Sequence, residues 1–235
     1  MHKITAMMFV PTLLAACGST SVQDEKIIQA HELSVGFLIV DGVYNTELVA
    51  PFDVFQHSIF HTDPGMKVFT VAPSKDPVTT FEGLRIHPDY DYEHAPPIDV
   101  LVIPSAEHSM DSDLEDQEMM DWVRRTAMRS RYVITLCDGA FVLAHAGLLN
   151  GRLATTFPSD IPRFRAMFPD VRVVEGVSFV HDGAAITSAG GAKSYDAALY
   201  VCEKLYGPAT ARGIANGLVI DWDVNDVAHA VADSE

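Results

Sequence analysis

At 235 residues the chain is long enough to bury a sizeable core and reads as one α/β domain. Its 32 acidic against 16 basic side chains leave a formal net charge of −16, which argues against nucleic acid and anionic membrane surfaces as electrostatic partners. No internal repeat or low-complexity run interrupts it.

The elements follow in chain order. Met1-His2-Lys3 is a short, weakly basic start, and Ile4 to Ala16 is an apolar stretch interrupted by Pro11, too short to span a membrane but suited to a signal-peptide core. Leu14-Ala15-Ala16-Cys17 has the look of a bacterial lipobox, at which Cys17 is lipidated and residues 1–16 are removed. The alternative is an ordinary signal peptide with a coincidental cysteine. The lipobox reading predicts a tether over 17–32, a domain over 33–220 and an acidic tail over 221–235. It places the protein in the cell envelope, facing the periplasm, with the N-terminal lipid as its one membrane contact. Cys137 and Cys202 then remain in an oxidising compartment, and both are expected as free thiols, Cys202 within an apolar helical stretch.

Ser34 to Val40 predicts a buried strand, and apolar positions at Leu48, Val49, Phe52, Val54, Phe55 and Ile59 predict a helix over 46–61. Strands are expected at 66–72 and 99–104, with a short hairpin over 78–88 around Glu82-Gly83 between them. A helix over about 112–129 leads to a strand at 132–136. Further on, a helix near 159–167 precedes short strands at 171–174, 177–181 and 184–187 and a long helix over 192–206. Strands alternating with helices imply a mostly parallel sheet covered on both faces. The tail has no glycine after Asp221 and is left open between a helix, an oligomer contact and a loose end.

The most informative segment is Ile134-Thr-Leu-Cys137-Asp138-Gly139-Ala140, where an apolar β-branched run stops at a cysteine and a helix begins. A thiol at such a corner faces free N–H groups, which favour its ionised form. The bland reading is a buried core cysteine at a strand end. Asp138 works the other way, because a carboxylate beside a thiolate raises the thiol's pKa unless it is protonated or turned aside.

Cys137-Asp-Gly139-Ala140, followed by Gly147-Leu-Leu-Asn-Gly151-Arg-Leu-Ala-Thr155-Thr156, resembles the DJ-1/PfpI superfamily over nearly all of residues 33–207. The likeness is greatest to isonitrile hydratases and to the ligand-sensing half of AraC-type regulators. It implies a flavodoxin-like three-layer sandwich around a mostly parallel sheet, with Cys137 on a nucleophile elbow. It also implies a small-molecule ligand or substrate, no cofactor, and the homodimer common among relatives.

Residue by residue, the resemblance puts Glu47 at the family's acid, which contacts the nucleophilic sulfur; on its own it would read as an exposed acid of a helix N-terminus. The backbone N–H groups of Asp138 and Ala106 are expected to position a substrate or oxyanion, with Gly139 beside them. Relatives have Gly-Gly where this chain has Ser105-Ala106. Many have Thr-Thr-His where it has Thr155-Thr156-Phe157, which argues against peptidase activity. His108 and Ser188 join Phe157 as pocket candidates, although Ser188 reads equally well as a packing residue. No pair of histidines has zinc spacing, and no metal is predicted. Two kinds of function stay open: cysteine-dependent chemistry on a small electrophile, closest to isonitrile hydration, or a non-catalytic sensor or binding module. Reversible thiol oxidation or electrophile scavenging is a third.

Overall fold

The computed structural model describes residues 32–233. Cys17, the leader over 1–16 and all of the tether except Glu32 lie outside the described residues. The chain runs β1 (Ser34–Leu38), α1 (Asn45–Gln56), β2 (Lys67–Ala72), β3 (Val78–Thr79), β4 (Arg85–Ile86), β5 (Tyr90–Asp91), β6 (Val100–Ile103) and α2 (Gln117–Ala127). It continues through β7 (Tyr132–Leu136), α3 (Gly139–His145), β8 (Leu153–Ala154), α4 (Ile161–Met167), β9 (Arg172–Val173), β10 (Phe179–Asp182) and β11 (Ala185–Ser188). The last elements are α5 (Ser194–Tyr206), α6 (Pro208–Gly217) and β12 (His229–Val231).

Eight strands form one sheet in the order β12-β10-β11-β7-β6-β1-β2-β5. Every neighbouring pair in it is parallel except β10 with β11. The central strands are continuous apolar runs because helices cover both faces. Val35, Phe37, Val100 and Val102 point to the side covered by α1, α5 and α6, where Leu48, Phe55, Leu199 and Ile214 meet them. Leu101, Ile103 and Val133 point to the other side, against Met120 and Trp122 of α2 and Phe141 and Phe164 of α3 and α4. The alternation is the period of two of a pleated strand, used here to feed two cores. Among the described residues, no helix is long and apolar enough to cross a membrane.

The α/β sandwich and its parallel sheet are as expected, and the hairpin forms, with Val78 opposite Ile86. Several elements differ from the expectation. The helix over 46–61 stops at Gln56 and continues as a tighter turn through Phe60. The 112–129 helix likewise opens with a 3-10 turn, Ser112–Glu115, before α2. The strand near 171–174 shortens to β9, which pairs with β8 outside the main sheet. Residues 221–233 are not a tail apart from the domain. Trp222 is 6% exposed and donates from Nε1 to Glu203 at 2.9 Å, and β12 pairs in parallel with β10 at the sheet edge. An acidic surface hides an apolar inner side there.

Candidate active site

β7 ends at Leu136, and Cys137 turns the chain with φ of +53°, a backbone region unfavourable to a residue with a side chain. The turn persists because its surroundings fix it. The Cys137 N–H donates to the Ser188 carbonyl of β11 at 3.0 Å, and Thr156 Oγ1 donates to the Cys137 carbonyl at 3.0 Å. Two glycines make room. A Cβ on Gly139 would collide with the Ile103 carbonyl, and one on Gly190 would collide with the Cys137 side chain. Gly139 therefore belongs to the site as the point where α3 meets the end of β6.

Glu47 reaches the same corner from the first turn of α1 and is 5% exposed. Its Oε2 accepts the Ser105 N–H at 3.0 Å and its Oε1 accepts the Gly191 N–H at 3.1 Å. The carboxyl also shares a hydrogen bond with the Cys137 thiol. Burial raises its pKa, and these hydrogen bonds only partly oppose that. An oxygen accepting one N–H keeps a second lone pair, so a proton on Glu47 can point at sulfur without breaking the backbone contacts.

Asp138, 8% exposed, is a second carboxyl on the same sulfur. Its Oδ1 accepts from Thr156 Oγ1 at 3.2 Å, and its backbone N–H donates to the Cys137 sulfur. Burial first, and then the charge of Asp160, push its pKa up to about 6. Burial also raises the Cys137 thiol, and Glu47 and Asp138 raise it further. The elbow alone suggested a thiol that ionises early. Here α3 is only seven residues long, and its N-terminus is outweighed by desolvation and two neighbouring acids.

The other candidates separate cleanly. Ala106 does not offer its N–H to a ligand, because that group donates to Ser109 Oγ at 2.8 Å. Ser188 is fully buried; its hydroxyl donates to the Ser178 carbonyl at 3.1 Å and accepts the Gly190 N–H at 3.2 Å, so it shapes the turn beneath the elbow. His108 is exposed, and its charge acts on Asp113. Phe157 is 41% exposed at the start of the 3-10 turn Pro158–Asp160, directly after Thr156. Cys202 is fully buried in α5, and Cys137 and Cys202 are both free thiols. Among the described residues no cluster of three His, Cys, Asp or Glu side chains is arranged to hold a metal ion.

Two participants escaped the sequence reading. The Tyr44 hydroxyl has its pKa raised by burial and by the charges of Cys137, Asp138, Glu107 and Glu47, which places it at the mouth; its ring lies 4.8 Å from that of Phe81. Ser105 is fully buried, its hydroxyl has no nitrogen or oxygen partner, and it hydrogen-bonds the Cys137 sulfur. Its position where relatives carry glycine was the one available signal. Together these groups form a buried thiol flanked by two carboxyls of raised proton affinity and a hydroxyl, a set suited to adding sulfur to an electrophilic carbon while moving a proton.

Comparison with known proteins gives four results. The family model described as DJ-1/PfpI matches residues 33–204. The isonitrile hydratase of Pseudomonas putida is 32% identical over 183 residues, covering 77% of this chain and 75% of that protein. The HTH-type transcriptional regulator CdhR of Pseudomonas aeruginosa is 28% identical over 161 residues, covering 68% of this chain but 47% of the regulator. Among solved structures, a ThiJ/PfpI family protein from Pseudomonas syringae matches with a TM-score of 0.71 at 25% identity, over 88% of this chain and 83% of that one.

Proposed function

This chain belongs to the DJ-1/PfpI family, and we propose that it uses Cys137 to hydrate a small electrophile of the isonitrile type to an N-substituted formamide. The observation that carries the proposal is the Glu47 carboxyl, fixed by two backbone N–H groups and hydrogen-bonded to the thiol. The similarity to an isonitrile hydratase supports the substrate class.

The sulfur bonds to the terminal isonitrile carbon while the thiol proton passes through Glu47 to that carbon, giving a thioimidate. Water then adds across the C=N bond, placing hydroxyl on carbon and a proton on nitrogen. The C–S bond breaks, the hydroxyl proton returns through Glu47 to sulfur, and the formamide leaves. One water is consumed and no oxidant or reductant is needed. A single carboxyl serves as donor and acceptor in turn, so the histidine absent at Phe157 is not required. Asp138 and Ser105 hold the sulfur from the other sides.

The test is formation of N-cyclohexylformamide from cyclohexyl isonitrile, followed by chromatography. Cys137→Ser should fall to background and Glu47→Gln should lose about a hundredfold or more. Formamide made by Cys137→Ser at the unaltered rate refutes the reading. A second reading, a small-molecule sensor, is favoured by the occupied Ala106 N–H and by the similarity to a transcriptional regulator. It predicts binding without turnover in both the original chain and Cys137→Ser.

A further inference from the structure

We infer that the Cys137 site selects electrophiles bearing a positive charge and turns away those bearing a carboxylate. This deepens the proposed function and rests on its nucleophile. The argument begins with the groups around the mouth. Glu47 and Asp138 sit on the sulfur itself. Glu82 comes over the start of α1, where its Oε2 accepts the Asn45 N–H at 3.0 Å, and its charge acts on Glu47. The Glu107 N–H donates to the Gly42 carbonyl at 3.0 Å, and its carboxylate acts on Tyr44. Asp160 acts on Asp138 from the turn after Phe157. Five carboxyl groups from the segments after β1, β3, β6, β7 and β8 thus gather around one thiol.

Two cations that neighbour these segments are engaged elsewhere. Lys193 Nζ pairs with Asp196 at 3.3 Å, and Arg163 pairs with Asp111 at 2.6 Å. What the mouth offers besides acid is aromatic. Tyr44 is half-buried and stands against Phe81, which is 54% exposed, and the face of such a ring attracts an ammonium group. Independently of the acids, the fully buried Ser105 hydroxyl touches only the sulfur and has no nitrogen or oxygen partner, which leaves its remaining hydrogen-bonding capacity open to the reacting group of a ligand. An anionic ligand entering here meets repulsion from every side, whereas a cation is drawn in.

A cation also resolves the chemistry of the thiol. Nearby negative charge opposes ionisation of Cys137, and a bound positive charge cancels that opposition. A bound cation therefore raises the share of thiolate above its level in the empty site.

The experiment uses the full chain and three methanethiosulfonates: neutral methyl, cationic 2-(trimethylammonium)ethyl and anionic 2-sulfonatoethyl. In each case the Cys137 thiolate attacks the sulfenyl sulfur, a mixed disulfide forms and methanesulfinate leaves. Peptide mass spectrometry separates Cys137 from Cys17 and Cys202, and each rate is divided by that of the same reagent with 2-mercaptoethanol. The normalised cation-to-anion ratio should be about tenfold or more at low salt and should fall toward unity at high salt. Glu82→Gln and Glu107→Gln should lower that ratio, from which any change in thiolate population cancels because both charged reagents share it. A ratio near one at low salt, or one that neither variant alters, overturns the inference. The neutral reagent reads the nucleophile by itself. Its failure to modify Cys137 brings down the proposed function together with this inference, whereas rapid neutral reaction without charge preference brings down this inference alone.

Discussion

Asp138 and Cys137 are adjacent residues that both acquire negative charge on ionising, and the fold buries the two together. The Asp138 pKa is raised from 3.8 to about 6, so the folded chain holds this proton more tightly than the unfolded chain does. Its contribution to stability is therefore greatest below about pH 4 and is lost as the pH rises through about 6. Asp138→Asn should narrow the difference in melting temperature between pH 5 and pH 7, measured by calorimetry on both proteins. The same substitution removes one of the two charges that oppose thiolate formation, so the midpoint of Cys137 alkylation should move to lower pH. A midpoint that stays in place would show that the Asp138 charge does not reach the sulfur. At this scale Cys137, Glu47 and the charge effect of Asp138 were legible in the sequence, the first two through a motif and the third through adjacency. Tyr44, the Ser105 hydroxyl and the diversion of the Ala106 N–H to Ser109 were not, because each depends on where one loop settles against another.

Among the elements, those with continuous apolar runs were readable and those with mixed composition were not. β1, β6 and β7 announce themselves because helices cover both of their faces. α6 is rich in alanine and glycine and carries no long apolar stripe, yet Ala211, Ile214 and Ala215 are fully buried. β12 is three residues in an acidic segment, and it forms because β10 presents a free edge to it. Trp222 anchors that last stretch beneath α5. Trp222→Ala should accordingly cost about 3–5 kcal/mol, read from urea unfolding. A loss within about 0.5 kcal/mol, the range of surface substitutions, would return residues 221–233 to the status of a tail.

For the molecule as a whole, the sheet and its two cores follow from the sequence pattern, while the cell-envelope address rests on Leu14-Ala15-Ala16-Cys17. We propose Cys17 as the lipid attachment point. The full chain made in a bacterium should then incorporate labelled palmitate and sediment with membranes, and Cys17→Ser should do neither. An unlabelled chain in the soluble fraction would retire the anchor.

The Glu47 clamp joins parts of the chain made far apart in time. Its two backbone donors lie 58 and 144 positions further along, at Ser105 and Gly191. During synthesis the carboxyl leaves the ribosome early, the thiol follows, and the second donor arrives only after β11 has been made. A nascent chain halted between Cys137 and Gly191 carries the cysteine without the group that completes its proton partner. The order of synthesis thus withholds a finished reactive centre from unfinished protein, and a fragment ending before that glycine should be inert however well its first strands pair.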